Sequence, residues 1–182
     1  MALNAQNVRV AVTGGIYRAA LGTTLPTSAL SALGVAFEEL GYAGEEGITQ
    51  SVGRDVSDVS AWQNGDVVRV VQTSHTVTYQ FNLIETKDTT LETAFGNYQD
   101  LGGGEGVTEI TGDLLPHYVW ALHAVDGDSR IRLILPDGQV TETGDVTWTN
   151  GELIAYPITV TAFPDNDGVK AYQYIANAVA SS

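Results

Sequence analysis

The chain contains no cysteine. That excludes disulfide staples and thiolate metal sites, and leaves apolar burial and backbone hydrogen bonding to hold the fold together. Charge is also scarce. Asp, Glu, Lys and Arg make up 16% of the residues, against roughly 25% in ordinary soluble domains, so much of the surface must be uncharged. This hints that partners cover part of it. Basic residues are scarcer still: eight Lys and Arg stand against 22 Asp and Glu, a net charge of −14. Such a surface repels phosphate, which argues against gripping DNA or RNA and against docking on anionic membranes. The N-terminus has no basic start followed by an apolar run, no stretch is long and apolar enough to cross a bilayer, and no Asn-x-Ser/Thr sequon occurs. There is no internal repeat and no low-complexity linker, so residues 1–182 are expected to form one domain. With 43% hydrophobic residues, that length can bury a sizeable core.

What the sequence does have is period-two alternation, the mark of strands with one buried face. Val77, Tyr79, Phe81 and Leu83 alternate with Thr76, Thr78, Gln80 and Asn82. Ile158, Val160 and Ala162 alternate with Thr159, Thr161 and Phe163, and Ile131, Leu133 and Leu135 with Arg130, Arg132 and Ile134. Weaker alternation marks Val8–Val12 and Asp145–Thr149, and Val67–Val71 and Lys170–Ile175 are further strand candidates. Tyr118–Val125 is apolar on both faces and reads as a central strand. Asn64-Gly65-Asp66, Asp126-Gly127-Asp128, Pro136-Asp137-Gly138, Asn150-Gly151 and Pro164-Asp165-Asn166-Asp167-Gly168 supply turn chemistry. Strands at this spacing imply a mainly β protein, an antiparallel meander closing into a sandwich or barrel.

One helix is predicted at about 88–96. Thr89 and Glu92 have capping-box spacing, Leu91 and Phe95 share the face expected to pack on the sheet, and Gly96 can stop it. A weaker helical patch follows Pro26 through Ala29, Leu30 and Leu33. Residues 41–66, with their glycines and mixed polar residues, read as a long loop, and Gly102–Gly106 as a turn or hinge.

Each catalytic or metal pattern fails at a named position. His75, His117 and His123 have no metal-ligand spacing. Gly102–Gly106 lacks the Lys-Ser/Thr of a phosphate loop. Asp165, Asp167 and Gly168 resemble part of a calcium loop, but Phe163 and Tyr174 would occupy its first and last ligand positions. Ser74 and His75, adjacent in a strand, would point to opposite faces. The acidic pairs Glu38-Glu39 and Glu45-Glu46 lack specificity as a glycosidase signal. No catalytic residue, metal site or cofactor is therefore assigned. Tyr118, Trp120, Trp148, Tyr156, Tyr172 and Tyr174 could form a sugar-stacking platform, but at strand period aromatics more often fill cores or interfaces.

The order of motifs adds a resemblance. Gly14-Gly15-Ile16-Tyr17-Arg18-Ala19-Ala20-Leu21-Gly22-Thr23-Thr24-Leu25-Pro26-Thr27 is followed by Phe37-Glu38-Glu39-Leu40-Gly41-Tyr42 and Glu46-Gly47-Ile48-Thr49. Ala61-Trp62, the turn at Asn64-Gly65 and Phe81-Asn82-Leu83-Ile84-Glu85-Thr86 come next, just before the predicted helix. Over roughly the first hundred residues this series resembles the major tail subunits of siphophages, the long non-contractile-tailed bacteriophages, particularly those infecting actinobacteria. The second half matches only in its alternating strands.

The resemblance implies a sandwich-like tail tube fold with one flanking helix. It implies subunits that close into hexameric rings, and rings that stack into a tube around the tape measure protein. Tail terminator and tail-tip or initiator proteins would be further partners. Double-stranded DNA would pass through the lumen without specific binding. Assembly would take place in the host bacterial cytoplasm, and the product would be the virion tail. Stacking needs protruding parts, and the candidates are an N-terminal arm at 1–7, the 41–66 loop with Glu45, Glu46, Arg54, Asp55 and Trp62, and a C-terminal tail at 176–182. A DNA conduit should not hold its cargo, so the expected lumen face is polar and not cationic: Thr76, Thr78, Gln80 and Asn82, joined by Thr159 and Thr161. The rival readings are a monomeric β-sandwich binding module such as a carbohydrate-binding domain, an acidic β-rich hydrolase, and a tube subunit of a related injection device.

Overall fold

The computed structural model describes residues 7–177. Residues 1–6 of the expected N-terminal arm and 178–182 of the expected C-terminal tail lie outside that range. Ten strands and one helix follow in order: β1 Thr13–Ala20, β2 Glu38–Glu39, β3 Thr49–Ser60, β4 Val67–Leu83, α1 Asp88–Phe95, β5 Gly96–Gly102, β6 Glu105–Ile110, β7 His117–Asp126, β8 Ser129–Thr143, β9 Tyr156–Phe163 and β10 Tyr172–Ala176. The main sheet runs β2-β1-β7-β8-β9-β4-β3, with β10 also paired to β8, and every pairing is antiparallel. β5 and β6 form a separate hairpin.

The sheet closes on itself. After β2 the chain leaves the β1 edge, where the Leu40 amide donates to the Ile16 carbonyl, and joins the end of β4. There the Gly44 amide donates to Asn82, the Ile84 amide donates to Tyr42, and Ala43 bridges Leu83. Closure brings strands far apart in the sheet order face to face. Trp120 on β7 and Phe81 on β4 are three strands apart, which would separate them by about 14 Å in a flat sheet. Their ring centroids are 6.0 Å apart. The barrel-like sandwich so formed is filled by the inward sets read from the sequence, Val77, Tyr79, Phe81 and Leu83 on β4 and Ile158, Val160 and Ala162 on β9, joined by Tyr156, all buried. β7 is central between β1 and β8, and Val119–Leu122 are buried on both of its faces.

Helix α1 closes one end of this core. Phe95 meets Tyr156 edge-on, Leu91 packs on the same cluster, and Ala94 is buried. Thr90 donates to the Leu40 carbonyl, and Thr143 to that of Ala94. The expected capping box is absent. The helix begins earlier than that box requires: the N-cap is Lys87 with no side-chain cap, which puts Thr89 and Glu92 inside the helix, and Glu92 bonds the guanidinium of Arg18. Gly96 ends the helix at a φ of 93°, as its sequence position suggested.

Several local expectations are corrected. The loop expected at 41–66 is strand β3 over 49–60. Its valines at 52, 56 and 59 show no alternation, because both faces are exposed and a bulge at Asp55/Val56 shifts the register. Residues 8–12 and 145–149 form no strand and 26–33 form no helix. The 28–31 stretch is held by Arg132, which donates to the Ser28 and Ser31 carbonyls. Pro136-Asp137-Gly138 is not a turn but an irregularity inside β8, where one β7 residue between Tyr118 and Trp120 opposes two on β8. The glycine is needed there: a Cβ on Gly138 would lie 2.7 Å from Cδ1 of Trp120.

Candidate functional site: a polar strand face and its projecting ribbon

The six candidate lumen residues lie on one face of two neighbouring strands. The β4–β9 register sets Thr78 opposite Thr161 and Gln80 opposite Thr159, and directly opposed residues share a face. The core takes the other face of both strands. The β3–β4 register extends the polar face by Thr49 opposite Gln80, Ser51 opposite Thr78 and Gly53 opposite Thr76. None of these nine positions carries a charge. Thr76 and Gln80 are exposed, while Asn82 is half-buried beside Gly44. Thr141 on β8 continues the face, its hydroxyl 2.7 Å from that of Thr161. Charges stand at the margins and are acidic: Glu142, opposite Thr159, and Asp55, which accepts from Ser74.

Beyond this face β3 and β4 leave the barrel as a two-stranded ribbon. Every residue of β3, and of β4 through Thr73, is exposed. Val52, Val56, Val67 and Val70 stand on the side that, nearer the barrel, carries Val77 and Tyr79. The turn is the one expected: Asn64 at a φ of 57° and Gly65 at 71°, with the Ala61 amide bonded to the Asp66 carbonyl. Trp62, at this tip, is 97% exposed. The five candidate stacking residues are not gathered together. Arg54 and Asp55 lie along the ribbon and Trp62 at its tip, whereas Glu45 and Glu46 sit at its base, roughly 40 Å from the tip at strand rise.

The other features weighed in the sequence have structural roles. His123 is half-buried opposite Arg132, and desolvation and then the two arginines at 132 and 130 pull it down to about 4. His117 pairs with Asp137 at 2.5 Å, and His75 stands on the ribbon opposite Arg54. No cluster of His, Asp or Glu suited to a metal occurs among the described residues. Asp165 accepts from the Asp167 and Val169 amides and the Tyr172 hydroxyl, a self-capped turn that holds its carboxyl below the usual range. Gly102–Gly104 turn the β5–β6 hairpin. Trp120 and Tyr156 are core residues while Trp148 is exposed elsewhere, so the aromatic set forms no single platform.

Sequence reasoning missed a groove of about 850 Å³ between α1, β6 and residues 143–148. Leu91, Phe95, Ile110, Leu114, Val146 and Trp148 line it, and Asp113, Glu142 and Asp145 stand among them. Its walls come from three separated segments, so no local pattern announces it. A second missed feature is Arg18, 2% exposed, which bonds Glu92, lies 3.5 Å from Glu38, and stacks 4.6 Å over the Tyr118 ring.

The family model described as phage tail tube protein matches residues 1–182, the whole chain. Among solved structures, a chain from the virion of a native gene transfer agent particle is similar over 79% of this chain and 92% of that one, at 10% identity and a TM-score of 0.41. No match is found among curated proteins.

Proposed function

The chain belongs to the phage tail tube protein family, and from that premise we propose that its copies close into hexameric rings that stack into the tube of a virion tail, the conduit for genome ejection. The observation that carries this reading is the β3–β4 ribbon. A two-stranded ribbon alone in water is marginally stable, and this one exposes seven valines, Val52, Val56, Val59, Val67, Val68, Val70 and Val71. Neighbouring copies would cover them. Among the described residues β3 is paired by β4 alone, so its outer edge offers unpaired amides and carbonyls to a strand of the next subunit. Such a contact joins two different patches and propagates around a ring.

The uncharged face across Thr76, Thr78, Gln80, Asn82, Thr159 and Thr161 would line the lumen. It offers DNA no cation to hold, and its acidic margins repel phosphate. Tape measure protein would occupy the lumen before the genome passes, and terminator and tail-tip or initiator proteins would bind the ends of the tube. Assembly would take place in the host bacterial cytoplasm. The role is structural and not enzymatic.

Negative-stain microscopy of the purified chain over a concentration series is expected to show rings or tubes of uniform width. A species that stays monomeric at high concentration would overturn the reading. For the lumen face, Thr78→Lys with Gln80→Lys should leave rings intact and impair genome delivery. Unchanged infectivity would sink that assignment.

A further inference from the structure

We infer that the ribbon tip of one copy docks in the groove beside α1 of another, with Trp62 as the anchor. The inference rests on the tube reading and names the surface through which copies meet. Two unmatched features of one molecule carry it. Trp62 is 97% exposed on a turn made rigid by its own hydrogen bond and by two left-handed residues. An exposed indole so presented suits an interface anchor, since Trp is the residue most often found at the centre of binding energy. The groove is the complementary shape. It is lined by Leu91, Phe95, Ile110, Leu114 and Trp148, and its volume of about 850 Å³ is within the range that accepts a bulky apolar group. Trp62 does not occupy the groove of its own chain, so a second copy must supply it.

Charge selects the same partner. All the charged residues lining the groove are acidic, namely Asp113, Glu142 and Asp145. Basic residues are few in this chain, yet the ribbon carries two, Arg54 and Arg69, with no ion-pair partner among the described residues. Arg69 lies a few residues from the tip, opposite Val59. A tip seated in the groove would bring it toward those carboxylates. The contact is heterologous, tip to groove, and leaves each copy with a free groove and a free tip, so it propagates.

The absence of cysteine makes the test clean. Gln63→Cys and Leu114→Cys are made in separate full-length chains, mixed under assembly conditions and oxidised, so that a mixed dimer can arise only between copies. The mixed disulfide is expected to form in the assembled fraction. Trp62→Ala, whose side chain supports nothing within its own fold, should raise the concentration needed for assembly roughly thirtyfold, the ~2 kcal/mol of a hot-spot residue at 1.4 kcal/mol per tenfold. Circular dichroism of that variant should be unchanged. Tubes that assemble without the mixed disulfide, and equally well with Trp62→Ala, would overturn the docking while leaving the tube reading intact. A groove cysteine that stays open to maleimide in such tubes would mean that the groove is empty or reserved for another partner. Chains that remain monomeric and unlinked would overturn both.

Discussion

Replacing Gly138 by alanine tests the packing that closes the barrel. A Cβ at this position would lie 2.7 Å from Cδ1 and 2.9 Å from Nε1 of Trp120, and 3.1 Å from Cγ1 of Val160. The ring has little room to retreat. It is fully buried, its Nε1 donates to the Gly138 carbonyl at 3.0 Å, and it is packed by Phe81 and Tyr118. Inserting a methyl group into a tight core typically costs ~1–3 kcal/mol. The rigid indole places this case toward the upper end, at roughly 2–3 kcal/mol. With a urea m-value of about 2 kcal/mol/M, that loss lowers the unfolding midpoint by roughly 1–1.5 M. Gly112→Ala is the control, since a Cβ there would meet nothing within 4 Å and its backbone is not left-handed. That substitution should be neutral or stabilise by up to about 1 kcal/mol through the unfolded chain. Tryptophan emission is the natural probe, because Trp120 is buried while Trp62 and Trp148 are exposed. Equal midpoints for the two variants would refute the argument that Trp120 needs a glycine beside it.

Glu92→Ala should destabilise by about 1–3 kcal/mol in the same assay, because Arg18 then keeps for its buried charge only the 3.5 Å contact with Glu38 and the Tyr118 ring, tempered by the partial exposure of the Glu92 carboxylate. Glu45→Ala, an exposed carboxylate at the base of the ribbon, should stay within roughly 0.5 kcal/mol and serves as its reference. The folded pKa of His123 is depressed, so between about 4 and 6.5 the unfolded chain binds a proton that the folded chain refuses. Stability therefore falls as pH drops through that window, and the wild-type curve should be steeper there than that of His123→Gln. Parallel curves would show that His123 does not titrate in this way.

Much of the fold was legible because a strand packed on one side must alternate. β4 beyond Thr76 and β9 each bury one set of residues and leave the other half-buried or exposed, and their polar sets mark the face that the register then joins. Of the ribbon, Val67–Val71 of β4 was legible as a strand candidate, whereas β3 was not. With no buried side in the isolated chain it has no burial pattern to display, and its bulge breaks the period of its valines. The β5–β6 hairpin escaped for a similar reason, being largely exposed around a glycine turn. Val8–Val12 misled in the opposite direction: its alternation is genuine, but the valines at 8, 10 and 12 are all exposed. Alternation alone does not supply a partner strand.

The sequence by itself determined the class: antiparallel β with one helix ended by Gly96, an uncharged polar strand face and an acidic composition. These follow from local periodicity and residue chemistry, which act over a few residues. Tertiary structure decided the rest. Closure of the sheet through residues 38–44 placed Phe81 against Trp120, paired Glu92 of the helix with the buried Arg18, and built a groove from three distant segments. It also turned an expected loop into a ribbon that carries Trp62 away from the barrel. Those outcomes depend on contacts between residues far apart in the chain, where the energy of burying a charge or an indole outweighs local preference.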